Sequence, residues 1–118
     1  MHDSARKLDA ARRALARTER ELRTGALAKN TFAARWRLRG MRSEAKRLRR
    51  ELIRANRETR YQRSTLRAAA VQPAEGRRKR SLLRASKAES AARKGLIDDA
   101  GRIVTTIDSR LRGNKPRP

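Results

Sequence analysis

Cysteine is absent from this 118-residue chain, and the only histidine is His2. The first absence excludes disulfides and thiolate metal ligands, and together they leave no cluster that would bind a transition metal. No apolar run approaches the roughly 18 residues that a membrane-spanning helix requires. We therefore expect no metal, no cofactor and no membrane association.

Catalytic groups are equally scarce. Asp98 and Asp99 are adjacent and would point in different directions on a helix, so they form a poor acid–base pair. The chain contains neither a phosphate-binding Walker loop nor a dinucleotide glycine fingerprint. These absences argue against an enzyme, and we expect no small-molecule substrate.

Acidic residues are few beside the basic ones. Lys and Arg number 34 against 12 Asp and Glu, which gives a net charge of +22. Such a chain repels itself, so we expect a polyanionic partner to supply the missing negative charge. Of the basic residues 27 are arginine, whose planar fork donates paired hydrogen bonds to phosphate. Nucleic acid is the predicted partner, and the predicted location is intracellular, in a nucleoid, virion or ribonucleoprotein particle.

Large apolar side chains are also rare, since Leu, Ile, Val and Phe make up 19 of the 118 residues. This fraction lies below the roughly 20% typical of folded domains, although 20 alanines favour helix. We therefore expect one all-α domain of two or three long helices, arranged as an extended hairpin or bundle with a thin core.

Apolar residues spaced by three and four predict helices over about 4–24, 31–70 and 78–112. A proline- and glycine-bearing linker is expected at 71–77 and a flexible tail at 113–118. Gly25 is predicted to end the first helix, and Asn30 or Thr31 to cap the second. Gly95 and Gly101 predict a kink or break in the third helix.

The second helix has a heptad pattern that predicts a seam between subunits. Glu44, Glu51 and Glu58 fall on one flank of this seam, where they would pair with arginines of a partner helix. A homo-oligomer or a helical partner is therefore expected. The predicted seam residues are Leu38, Met41, Leu48, Leu52 and Leu66.

Most of the remaining circumference of this helix is basic, and a second basic cluster follows the linker. From 35 to 67 there are 13 Lys and Arg against three acids, whereas ordinary solvated faces mix both signs. We predict phosphate contacts there by counterion release. The predicted nucleic-acid-binding residues are Arg35, Arg39, Arg42, Lys46, Arg47, Arg49, Arg50, Arg54, Arg57, Arg60, Arg63, Arg67, Arg77, Arg78, Lys79 and Arg80.

Only three aromatic residues are present, Phe32, Trp36 and Tyr61. Phe32 and Trp36 lie one helical turn apart, and the shortage of other large side chains favours a role for them in the core. Proteins that bind single strands usually carry more aromatics. Duplex DNA is therefore the favoured polymer, with RNA as an alternative.

Residues 91–97 (AARKGLI) are similar to a stretch of a small all-helical ribosomal protein family of the bacterial 30S subunit. The similarity covers seven residues and ends at Asp98 and Asp99, where basic residues would be expected. It implies RNA as a partner but assigns no site residue.

Three functions follow from these observations. The first is a sequence-nonspecific protein that coats, condenses or packages DNA in a nucleocapsid-like or chromatin-like role. The second is an RNA-binding structural component of a ribonucleoprotein. The third is a helical adaptor or assembly protein whose partner is an acidic protein surface.

Overall fold

A computed structural model describes the backbone of residues 2–69 and 75–113. It describes the side chains of the same residues except those of residues 2–4. Within these ranges the chain forms four helices: α1 (His2–Leu22), α2 (Gly25–Ala28), α3 (Phe32–Ala68) and α4 (Gly76–Gly113). The predicted all-α class is confirmed, with two long helices packed on each other. Residues 71–74 of the predicted linker and 114–118 of the predicted tail lie outside the description.

The first predicted helix is divided in two. The backbone N–H groups of Arg23 and Thr24 bond to carbonyls three residues earlier, and the Thr24 hydroxyl donates to the carbonyl of Glu21 at 2.8 Å. Thr24 then takes an extended conformation, and Gly25 begins α2. Gly25 therefore opens a helix rather than closing one, which corrects its predicted role. The short α2 buries Leu27.

Thr31 is the cap that precedes the first residue of α3, as the sequence predicts. Its backbone is extended, and its hydroxyl oxygen accepts a 3.1 Å hydrogen bond from the N–H of Ala34. Such a cap satisfies one of the free amides of the first turn. The 37 residues of α3 extend about 55 Å at the usual helical rise.

α3 and α4 form an antiparallel hairpin. At its closed end the Lys79 ammonium donates to the carbonyls of Arg67 and Ala69 at 3.0 and 2.9 Å. At the open end Arg35 donates to the carbonyl of Leu111 at 3.3 Å. Lys79 thus places a positive charge at the C-terminus of α3, where the helix dipole favours one.

The core lies where α1 crosses the open half of this hairpin. Leu38, Met41 and Ile107 are its most deeply buried large side chains. Leu8 and Leu48 pack at its edge. Its buried members are Ala11, Leu15, Leu22, Leu27, Ala34, Leu38, Met41, Ala45, Leu52, Leu96, Ala100, Ile103 and Ile107.

The seam predicted between subunits therefore packs inside one chain. Leu38, Met41 and Leu52 are buried against the chain's own helices, and Leu48 and Leu66 are half-buried. Almost no surface of Leu38 or Met41 remains for a second subunit. The heptad stripe of α3 does pack against other helices, but these are α1 and α4 of the same chain.

The buried stripe of α3 also rotates along the helix. Beyond Leu52 the structure buries Asn56 and Thr59 and half-buries Arg63, while the predicted seam residue Leu66 is only half-buried. A straight helix drifts by about 20° per heptad relative to an exact 3.5-residue repeat. The drift places polar residues in the distal interface with α4.

α4 is continuous through Gly95 and Gly101, where a kink or break was expected. Each glycine costs roughly 1 kcal/mol of helix propensity. Leu96, Ala100 and Ile103 are buried around the two glycines, and their packing outweighs that cost. The extended helix gives the molecule dimensions of 70 × 23 × 14 Å. Its radius of gyration of 19.3 Å exceeds the roughly 13.5 Å of a compact chain of this length.

None of the helices in the described ranges combines the length and the apolar character needed to cross a membrane.

Candidate nucleic-acid interface

The side of α3 turned away from the core is rich in basic residues. Six exposed residues on it recur at helical spacing, so they form one strip about 27 Å long. The three glutamates of this helix form a neighbouring line that lies within one helical turn of Arg47 and Arg54. We call this strip the outer face of α3; it comprises Arg39, Lys46, Arg47, Arg50, Arg54 and Arg57.

The three glutamates face α1 instead. Glu44 lines a groove between α1 and α3 that also contains Ala14 and Leu15. Glu51 and Glu58 line a second groove of about 820 Å³ between the same helices. The glutamates are themselves exposed, and Arg47 and Arg54 line the same two grooves, so these two cations lie beside acids. The other four cations of the outer face have no acid three or four residues away on α3, so this part of the surface attracts phosphate and repels other cations.

Four of the predicted contact residues hold the hairpin together instead of facing solvent freely. They are half-buried and bond to other parts of the chain. Arg42 pairs with Asp108 at 2.5 Å and Arg63 donates to the Ser90 hydroxyl at 3.2 Å. Arg35 and Lys79 bond to the backbone carbonyls already described.

The other predicted residues outside the outer face are exposed. Arg49, Arg60 and Arg67 lie towards the α4 side of α3, and Arg77, Arg78 and Arg80 lie in the first turns of α4. The closed end of the hairpin is consequently a second basic region. Between residues 60 and 88 the sequence has nine Lys and Arg and one acid, Glu75.

All three aromatic side chains are exposed, and for Phe32 and Trp36 this corrects the predicted role in the core. Phe32 is 81% exposed, Trp36 is 68% and Tyr61 is 75%. The rings of Phe32 and Trp36 stack on each other, with centroids 6.3 Å apart and planes inclined by 23°. Burying a large apolar side chain contributes about 1.5–3 kcal/mol, and this chain forgoes that gain at each position. The core is instead filled by leucine, methionine, isoleucine and alanine, because the heptad stripe contains no aromatic residue.

A bidentate ion pair joins α1 to α3 beside the aromatic pair. Arg37 donates to both carboxylate oxygens of Glu21, at 2.9 and 2.8 Å. The hydrogen bonds from Arg37 lower the pKa of Glu21 from its ordinary value, and the same bonds raise the pKa of Arg37. Glu44 adds a smaller attraction to Arg37. The pair thus fixes the first turns of α3 against the end of α1.

The half of the hairpin nearer its closed end contains a buried polar cluster that was not predicted from the sequence. The Arg93 guanidinium donates to the Thr59 hydroxyl at 2.6 Å and to the Glu89 carboxylate. Asn56 donates to the carbonyl of Ser90 at 3.4 Å, and its own amide oxygen is buried without a partner. One sequence feature could have indicated this cluster: Glu89 is the single charged residue on the otherwise apolar stripe of α4.

Across residues 2–69 and 75–113, no group of three His, Cys, Asp or Glu side chains is placed to hold a metal ion. Comparisons with protein-family models, curated proteins and solved structures gave no match to this chain.

Proposed function

We propose that this protein binds nucleic acid without sequence preference and coats or condenses it through phosphate contacts. The outer face of α3 is the principal contact, and the basic closed end of the hairpin extends it. The role is structural, as in a nucleocapsid or in chromatin, rather than catalytic. Arginine and lysine contacts to phosphate position a protein on its polymer without reading bases.

The observation that carries this proposal is the excess of exposed cations along the outer face of α3. An ordinary charged helix intersperses both signs on its solvent side, whereas four of the six outer-face cations have no acid three or four residues away on α3. Six cations within about 27 Å repel one another in the free chain. A polyanion removes that repulsion, and the counterions released from the polymer provide the driving force.

The salt dependence of binding tests the proposal. We expect the association constant for a short labelled oligonucleotide to fall about 10³- to 10⁵-fold between roughly 50 and 200 mM salt, if six to ten phosphates are contacted. Fluorescence anisotropy measures the constant at each salt concentration. A flat salt response would contradict the proposal.

A charge-matched pair of variants locates the contact. Replacing Arg47, Arg50, Arg54 and Arg57 by Gln removes four charges from the outer face and weakens binding to all sequences alike. The slope of log K against log salt falls by about 3.6 for duplex, or about 2.8 for a single strand. The control variant should keep most of this slope. It replaces four exposed arginines on and just after α1 by Gln: Arg6, Arg13, Arg20 and Arg23.

Equal losses in the two variants would mean that net charge alone drives binding, and the outer face would lose its assigned role. Loss for one base sequence only would indicate base readout.

DNA and RNA are separated by competition between duplex DNA and structured RNA for the same labelled complex. Preferential displacement by RNA would favour a ribonucleoprotein component. The adaptor alternative receives less support, because the glutamates expected to select a partner helix lie beside α1 of the same chain. A stable dimer that purifies free of nucleic acid would restore it.

A further inference from the structure

We infer that the Phe32–Trp36 pair is a stacking platform for unpaired bases, so that the preferred polymer is single-stranded. This inference rests on the proposed function and specifies its substrate class. It differs from the earlier preference for duplex DNA, which was based on the small number of aromatic residues.

The geometry of the pair suits this role. Both rings project into solvent and are stacked with a 23° inclination, which leaves the outer face of each ring accessible to a base. In a duplex the bases are stacked inside and reach such a surface only if they are splayed out. In a single strand every base has an accessible face, and stacking on protein aromatics is tolerant of sequence.

Three contacts hold the platform on a rigid element. Thr31 caps the helix immediately before Phe32. Arg35 bonds to α4 through the carbonyl of Leu111, and Arg37 bonds to Glu21 of α1. The two arginines that flank Trp36 in sequence therefore anchor the turn that carries its ring. Pre-organised aromatic rings lose little conformational freedom on binding.

The platform continues directly into the basic outer face. Arg39 follows Trp36 by one helical turn and is exposed on the same side of α3. Tyr61 ends the same strip about 37 Å from Trp36 and is also exposed. Exposed rings thus lie at both ends of a run of cations, which is the arrangement expected of a surface that follows a phosphate backbone and stacks its bases.

Trp36 is the only tryptophan, so its fluorescence reports the platform alone. We compare three labelled probes of equal length: an oligothymidylate single strand, a duplex, and an abasic strand that keeps the phosphates and lacks the bases. The single strand should bind most tightly and quench Trp36 emission. The abasic strand should bind by charge and leave the emission unchanged.

Variants then separate stacking from folding. Trp36→Ala should weaken single-strand binding about 5- to 100-fold, with little change for the abasic strand. Trp36→Phe keeps an aromatic face and should recover most of the affinity. Ser43→Ala, exposed on the same side of α3, is the matched control and should behave as wild type. Helical ellipticity verifies that each variant is folded.

The two proposals fail differently. Salt-sensitive binding without quenching, or equal losses for the single and abasic strands in Trp36→Ala, overturns the stacking role and leaves phosphate binding intact. A duplex preference that survives Trp36→Ala also overturns it. Absence of binding to all three probes in low salt overturns the proposed function and this inference together.

Discussion

Arg93 lies in the distal α3–α4 interface with 5% of its surface exposed. Its bonds to Thr59 and Glu89 compensate part of the cost of removing a guanidinium from water. The bond to Thr59 crosses to α3, whereas Glu89 lies on α4 itself, so a one-turn slip between the helices would break the Thr59 bond and keep the ion pair. The distal hairpin has little apolar packing, so polar pairing supplies much of its specificity.

Arg93→Ala should lower the free energy of unfolding by about 1.5–3 kcal/mol, the range for hydrogen bonds to charged groups. Urea unfolding followed by helical ellipticity measures the change. Lys94→Ala removes the same charge from the next, exposed position and should change stability by no more than about 0.5 kcal/mol. Equal effects of the two substitutions would show that the buried bonds contribute nothing.

The Glu21–Arg37 pair predicts a contribution to stability that depends on pH. Because the pKa of Glu21 is lowered in the folded state, the unfolded state binds its proton more readily. The contribution is complete above the ordinary value near 4.5 and is lost as the pH falls through the lowered pKa. Both side chains are more than one-third exposed, so the pair contributes about 0.2–1 kcal/mol at neutral pH.

Glu21→Gln should therefore lose less stability than wild type when urea unfolding is compared at pH about 6 and about 3. Glu19→Gln is the control, since it removes one carboxylate from α1 and keeps the bond to Arg37. Identical acid dependence in the two variants would refute the prediction.

Helix positions could be predicted closely from apolar spacing, because the stripes of α1, α3 and α4 follow the period of the helix. The predicted 31–70 helix is observed as Phe32–Ala68, and Thr31 is its cap. The choice of partner could not be predicted, since a heptad stripe packs equally well on a second chain or on the chain's own helices. The exposed position of Trp36 was missed because residue size was given more weight than its place off the stripe.

The continuous α4 predicts that its glycines are dispensable. A methyl group at Gly95 would meet no atom within 4 Å, and one at Gly101 would reach ordinary contact with Arg49 at 3.7 Å. Gly95→Ala should raise the free energy of unfolding by about 0.5–1 kcal/mol. Ala91→Gly, the reverse change at an exposed position of α4, should lower it by a similar amount. Thermal unfolding measures both, and destabilisation by Gly95→Ala would indicate that the glycine is required.

A net charge of +22 spread over a rod 70 Å long predicts opposite effects of salt on folding and on binding. In the free chain, repulsion among exposed cations opposes folding, and salt screens it. The melting temperature of the free protein should rise between about 50 and 200 mM NaCl, while its affinity for nucleic acid falls. A melting temperature that falls with salt would show that the ion pairs between helices outweigh the repulsion.

The slender outline also sets how many molecules a saturated filament would hold. A body 70 Å long that lies parallel to a duplex spans about 20 base pairs, or about 40 phosphates. Its 22 excess positive charges match about half of them. If protein alone neutralises the polymer, a duplex takes two such bodies side by side for each 70 Å, whereas on a lone strand one copy balances about 22 nucleotides.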